Sequence, residues 1–305
     1  MSLYWPDRPR MLISYAYKEA LDYAVKNTSG VDLLVDSGAF TAFTLGEKIS
    51  MEAYCDWLIE NQSKITTAIS LDVIGDWKGS ARNTEKMLKR LPEGFPLMPV
   101  WHSTSPESEL RRLCREHDYI GIGGVTSMAS KVNMFMRHMV KAHKIARDYG
   151  TKLHGLGVTG HDAMLRLPWH TVDSSSWLAG ARYGRMVLHD EDFSRVRYRI
   201  GDPMDASMAR VIRAYGGDPA KVRKKGFAMA SGGTGDHKAE YEWLYQSAAR
   251  GFTMLEGHMR KRNKTEARVY LALATSVTMH AAIRAHALGN PFERKVTPCV
   301  PSVAQ

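Results

Sequence analysis

Three aspartates stand at the ends of short apolar runs. Asp36 follows Val31-Asp32-Leu33-Leu34-Val35 and opens Asp36-Ser37-Gly38-Ala39-Phe40, Asp72 follows Ala68-Ile69-Ser70-Leu71, and Asp173 follows His170-Thr171-Val172. A carboxylate at the end of a buried strand is poorly hydrated, so a fold keeps it there only with partners or a task. The tasks open to such a group are proton transfer and nucleophilic attack. Three in like settings indicate one shared pocket. Taken singly, Asp36 and Asp72 read equally well as helix caps or turn residues, where aspartate is favoured. Asp76 and Asp190 have loop settings and read as solvated. His102, behind Trp101, is either a pocket residue or a satisfied core histidine. Trp101, Trp177, Phe40 and the run Met134, Met136, Met139 read as packing.

The elements that must position these residues alternate. Candidate strands are Met11 to Ile13, Asp32 to Val35, Ala68 to Leu71, Leu97 to Trp101, Tyr119 to Ile122, Leu153 to Leu156, His170 to Val172 and Arg185 to Leu188. Between them lie helical candidates: Met51 to Asn61, Asn83 to Leu91, Pro106 to His117 and Lys131 to Tyr149, with caps at Ser50, Ser105 and Ser130. About eight strands in strand–helix repetition predict an α/β fold, a (β/α)8 TIM-like barrel, with an open doubly wound sheet as the alternative. In such a barrel the active site lies at the C-terminal strand ends. The polar and glycine-rich residues cluster there: Asp36-Ser37-Gly38, Asp72, Trp101-His102, Gly121-Ile122-Gly123-Gly124, Gly155-Leu156-Gly157-Val158 and Asp173-Ser174-Ser175.

Beyond about residue 193 the chain turns basic and mainly helical, with Ala239 to Arg250 and Thr265 to Leu288 the clearest helices. The expected division is a barrel over 1–192 and a basic helical extension over 193–305. The chain of 305 residues carries a formal net charge of +10. That excess favours encounter with polyanions, nucleic acid among them. In an extended segment Arg195, Arg197 and Arg199 present three guanidinium groups on one face. Lys221-Val222-Arg223-Lys224-Lys225 and Arg260-Lys261-Arg262-Asn263-Lys264 add two further clusters. Ser231-Gly232-Gly233-Thr234-Gly235 reads as a flexible turn or, alternatively, a phosphate loop. Cys55, Cys114 and Cys299 are odd in number and unpaired in spacing, which argues against a disulfide framework and against a zinc knuckle. With no bilayer-length apolar run and no secretory pattern, a cytoplasmic protein without membrane contact is expected.

The motifs in order resemble the tRNA-guanine transglycosylases, a family of barrel enzymes. Asp36-Ser37-Gly38-Ala39-Phe40 resembles the family's Asp-Ser-Gly-Gly-Phe/Tyr, and Ile122-Gly123-Gly124-Val125 its Gly-Gly-Leu base-binding segment. His154-Gly155-Leu156-Gly157-Val158 is similar to the His-x-x-Gly-x-Gly-like strand. Val172-Asp173-Ser174 is placed like the nucleophile strand, and Ala181-Arg182-Tyr183-Gly184 like the Ala-Arg-x-Gly after it. The resemblance covers residues 10 to 190. It implies Asp173 as the nucleophile that forms a glycosyl–enzyme intermediate and Asp36 as general acid, then base. It further implies a base pocket of Asp72, His102, Gly123, Gly124 and Ser37, with Asp72 reading the purine. Nucleic-acid contacts are expected from Arg182, Arg195, Arg197, Arg199, Lys224 and Arg260.

The chain departs from that family in two places. His102 stands where the tRNA enzymes generally carry glutamine. The Cys-x-Cys-x-x-Cys plus His zinc site is missing, so no metal and no other cofactor is expected. A zinc-free basic form resembles the DNA-modifying branch, phage and bacterial, which exchanges guanine in DNA for a 7-deazaguanine base such as 7-cyano-7-deazaguanine (preQ0), here a co-substrate. The alternatives are a zinc-free tRNA-guanine transglycosylase acting on tRNA, a non-catalytic nucleic-acid-binding subunit, or a base-releasing glycosylase. A homodimer or an accessory protein is left open.

Overall fold

A computed structural model of the chain describes residues 5–27, 29–124, 132–158, 160–224, 227, 238–263, 266–273 and 275–293. Nine strands form one sheet: β1 (Arg10–Ser14), β2 (Asp32–Asp36), β3 (Thr67–Ile69), β4 (Leu97–Met98), β5 (Val100–His102), β6 (Tyr119–Gly123), β7 (Lys152–Gly155), β8 (Thr171–Ser174) and β11 (Arg268–Leu273). Their order is β4-β3-β2-β1-β11-β8-β7-β6-β5, and the pairings are parallel. The two end strands, β4 and β5, are consecutive in the chain and separated only by Pro99. Proline has no N–H for the ladder, so one strand is divided into two short ones there. The sheet is thus nearly closed and barrel-shaped, of the TIM type. Two further strands, β9 (Arg185–His189) and β10 (Arg195–Arg199), form a separate antiparallel hairpin.

Side-chain alternation divides the strands between two cores. Leu12, Leu34, Ile69, Met98, Val100 and Tyr270 fill the barrel interior. Met11, Ile13, Leu33, Val35, Val172, Val269 and Leu271 point outward to the helical layer. Because 32, 34 and 36 share a face, burying Leu34 in the interior turns Asp32 and Asp36 the same way, one at each end. The helices between strands are α1 (Lys18–Asn27), α2 (Ala39–Leu45), α3 (Met51–Glu60), α4 (Trp77–Arg90), α5 (Glu107–Glu116), α6 (Val132–Tyr149), α7 (His161–Arg166) and α8 (Ala179–Tyr183). Ser50 caps α3 by accepting from Ala53 N. Asp76, read above as solvated, caps α4 by accepting from Gly79 N, which starts that helix six residues earlier than expected. Ser105 does not cap α5: its buried hydroxyl has no hydrogen-bond partner and Pro106 takes the cap position. Ser130 lies outside the described residues.

The expected eighth strand is corrected. Arg185 to Leu188 is extended, but it pairs with β10 away from the barrel. The strand that completes the barrel is β11, which lies between β1 and β8. It belongs to the stretch Thr265 to Leu288 expected as one helix, of which only α12 (Ser276–Leu288) is helical. The barrel therefore runs past residue 192, and the hairpin, α9 (Ala206–Ala214), α10 (Pro219–Val222) and α11 (Lys238–Asn263) enter between its last two strands. This insertion has its own core of Met186, Leu188, Phe193, Tyr198, Val211, Ile212, Tyr215 and Leu244.

Of the packing aromatics, Trp101 and Trp177 are buried as expected, while Phe40 is exposed. Of the methionine run, Met139 is buried, Met136 packs against the core from a half-buried position, and Met134 is exposed.

A candidate active site at the mouth of the barrel

The C-terminal ends of β2, β5 and β8 carry Asp36, His102 and Asp173, and Asp72 lies just past β3. The charges of Asp72 and Asp173 both reach Asp36. Burial first, then Asp72, and to a smaller degree Asp173, push its pKa up to about 6, against a hydrogen bond from Ser14 and the Gly38 N–H. The latter donates to Asp36 Oδ2 at 3.0 Å. Gly38 has a φ of +82°, and a Cβ there would fall 2.7 Å from Ala16 N and 2.9 Å from Ile49 Cδ1. The Ser37-Gly38 turn thus needs glycine for both conformation and space.

Asp72 is held loosely. Ser37 Oγ donates to its Oδ1 at 3.5 Å, and His102 Nε2 stands 3.3 Å from Oδ2. That nitrogen is buried and makes no hydrogen bond of full geometry. His102 is therefore the partner of Asp72 and faces the same pocket. Gly123 makes room for it: a Cβ at that position would lie 3.0 Å from Val100 Cγ1 and 3.2 Å from His102 Nδ1. Gly124, exposed and at φ +73°, is the last described residue of this strand end. Val125, which completes the expected motif, lies outside the described residues.

Asp173 is bound differently. Its Oδ1 accepts from Gly157 N at 2.8 Å and stands 3.2 Å from His154 Nε2. His154 is wholly buried, and its other nitrogen lies 2.6 Å from Thr171 Oγ1. The Thr171 hydroxyl is in turn bonded to that of Tyr119. His154 appeared in the sequence only as part of a glycine-rich motif. The signal that locates it is alternation: with Leu153 outward, His154 must point inward at the level of the β8 residues.

The expected nucleic-acid residues separate into two groups. Arg182 on α8 is exposed, as is Lys224 just after α10. Arg197 and Arg199 on β10 are exposed beside buried Tyr198, and exposed Arg185 of β9 stands opposite Arg199. Arg195 is half-buried beside His161, which stacks on His189 at 5.7 Å. Arg260 is half-buried, pairs with Glu256 at 2.9 Å and donates to the Ala267 carbonyl at 2.8 Å. Glu256 also pairs with Arg10 at 3.0 Å, at the N-terminal strand ends, opposite the site. Lys225, Lys264 and the loop Ser231 to Gly235 lie outside the described residues.

A cleft of about 660 Å³ opens on the outer wall, lined by His143, Lys144, Arg147, Arg166 and Trp169 among others. It contains no carboxylate and lies by the N-terminal ends of β7 and β8, away from the mouth. Among the described residues, no group of three or more His, Cys, Asp or Glu side chains is arranged to hold a metal ion. Cys299 and His237 lie outside them. None of the described helices is long and apolar enough to cross a membrane.

Fold and site together define a TIM-like α/β barrel with an acidic mouth. No family model matches the chain, and no curated protein matches it.

Proposed function

We propose that this chain is a guanine transglycosylase that exchanges guanine in DNA for a 7-deazaguanine base through a covalent intermediate on Asp173. The observation that carries the reading is the unequal treatment of two strand-end carboxylates. The pKa of Asp36 is pushed up to about 6 by burial and then by Asp72, whereas Asp173 Oδ1 accepts from the Gly157 N–H and lies 3.2 Å from His154 Nε2. A pair split in this way suits one proton carrier and one nucleophile.

Asp173 attacks C1′ of the target nucleoside. The C1′–N bond breaks, and its electron pair leaves with guanine, which takes the proton of Asp36. The incoming base returns a proton to Asp36 and displaces Asp173, so configuration at the sugar is retained. Asp72 accepts from the ring N–H and exocyclic amine of a guanine-like base, with His102 beside it. The target base must leave its stack, at a cost of a few kcal/mol. Phe40 and Phe43 on α2, directly after the Asp36 turn, are 61% and 62% exposed and offer surfaces for stacking against unpaired bases. The resemblance to the DNA-modifying branch and the exposed arginines of the hairpin favour DNA.

The test is incorporation of 7-cyano-7-deazaguanine into duplex DNA and into tRNA in parallel, read by mass spectrometry of digested nucleosides with Asp173→Ala as control. Modified deoxynucleoside from the wild type alone is expected. Modification of tRNA only would move the substrate to RNA. Exchange by Asp173→Ala at wild-type rate would remove the nucleophile assignment.

A further inference from the structure

A buried chain of hydrogen bonds runs inside the barrel and ends on Asp173. It passes from the Tyr119 hydroxyl to Thr171 Oγ1, then over 2.6 Å to His154 Nδ1, and from His154 Nε2 over 3.2 Å to Asp173 Oδ1. The direction of every proton follows from the two ends. With Asp173 ionised, as the nucleophile role requires, its oxygen only accepts, so Nε2 carries the hydrogen. Burial pushes the Tyr119 ionisation well up, so that hydroxyl keeps its proton and donates to Thr171. Tyr270, the neighbouring buried tyrosine, donates instead to Asp32 at 2.7 Å. In a neutral ring protonated at Nε2, Nδ1 is the bare nitrogen, and Thr171 donates its single proton to it. With the Gly157 N–H, two donors meet at Oδ1, and among the described residues none meets Oδ2.

We propose that His154 is a positioning residue for base exchange: as a neutral Nε2–H imidazole oriented by Thr171 and Tyr119, it holds Asp173 by Oδ1 and leaves Oδ2 as the oxygen that attacks C1′. This rests on the transglycosylase reading above. In the first step a lone pair of Oδ2 forms the C1′–O bond as the C1′–N bond breaks toward the protonated guanine. Oδ1 becomes the carbonyl oxygen of the glycosyl ester and keeps both donors. In the second step the ring nitrogen of the incoming base loses its proton to Asp36 and displaces Oδ2. Negative charge returns to the carboxylate, where the donors on Oδ1 stabilise the leaving group. No proton travels along the chain.

Two measurements test the role. Long-range ¹H–¹⁵N correlation spectra at pH 7, with His154 assigned by its loss in His154→Gln, are expected to show a neutral ring protonated at Nε2. An Nδ1–H ring or an imidazolium overturns the proposal. In exchange assays His154→Leu should lower kcat about ten- to hundred-fold, the worth of a hydrogen bond to a charged group, with KM for the deazaguanine unchanged. His154→Gln, whose amide N–H can replace Nε2–H, should recover most of that loss. Thr171→Val, equal in shape, should lower kcat in the same sense and keeps the test decisive if His154→Leu does not fold. Equal impairment by Leu and Gln, or a loss confined to KM, overturns it. A wrong tautomer in an active enzyme sinks this role alone, whereas wild-type protein that exchanges no base sinks the transglycosylase reading and this role with it.

Discussion

Asp36 sits in surroundings that disfavour its charge, and this has a measurable sign. Its pKa is near 6 in the fold against an ordinary 3.8, so the native state binds the proton more tightly than the unfolded chain. Stability contributed by this group is full below about pH 4, falls as the pH rises through about 6, and stays lowered above. Asp36→Asn, similar in shape and uncharged, should therefore be more stable than wild type above pH 6, by at most about 3 kcal/mol, and should lose that advantage below pH 4. Thermal denaturation across the range checks it; parallel curves at every pH would remove the charge coupling. The same variant should lack exchange activity, since function keeps a carboxylate where stability would prefer an amide. At this scale much was legible in the sequence. Asp36, Asp72, His102 and Asp173 were found because each ends an apolar run, and strand ends in this architecture converge. The contacts of His154 were not legible, because its partners lie on neighbouring strands and only register brings Thr171 opposite it. The inward turn of Arg260 was hidden as well: three basic residues in a row look solvated until Glu256, one helical turn earlier, is known to be buried.

The hairpin β9–β10 and helix α11 separate two uses of positive charge. Arg197 and Arg199 are exposed on a strand whose Tyr198 anchors it in the insertion core. Reversing both to glutamate should weaken DNA binding and flatten the slope of log affinity against log salt by about 2, near 0.9 per lost phosphate contact. An unchanged slope in a salt titration would place the nucleic acid elsewhere. On α11, by contrast, Glu256 joins Arg10, Arg260 and the Val269 N–H, tying the helix to β1 and β11. Glu256→Ala should cost about 3 kcal/mol in denaturant unfolding, because buried Arg10 loses its shortest ion pair, keeping only Asp7 and Asp32 at 3.5 and 3.8 Å, and the Val269 N–H loses its acceptor. A loss below 1 kcal/mol would mean that water reaches Arg10. Seven barrel strands were readable from short apolar runs between capped helices. β11 was not, since Arg-Val-Tyr-Leu-Ala-Leu is followed closely by α12 and its alanine and leucine suit a helix equally. Its neighbours in the sheet, rather than its own propensity, make it a strand.

At the level of the molecule, the barrel has two chemically opposed ends. The mouth gathers carboxylates with few cations, whereas the base of the barrel neutralises Asp32 and Glu256 with Arg10, Arg260 and Arg268. Charge at the base is matched by arginines, whereas at the mouth the described partners of Asp72 and Asp173 are histidines, a hydroxyl and a backbone N–H. A chain ending at residue 192 should keep neither end intact, since β1 and β8 would each expose an unpaired edge where β11 belongs. Such a truncation is expected to aggregate, and a soluble fragment with one cooperative melting transition would contradict the topology. The place of β11 also sets an order in time. Met11 lies beside Leu271, so β1 finds this neighbour only after the whole stretch of chain between them has been made. Until then the eight earlier strands of the sheet wait with a seam open, and closing it is a non-local event of the kind that slows folding. The insertion, although its hairpin and α9 share a core of their own, is bound to the same closure, because Ala249, Phe252 and Leu255 of α11 are buried in the barrel's outer core.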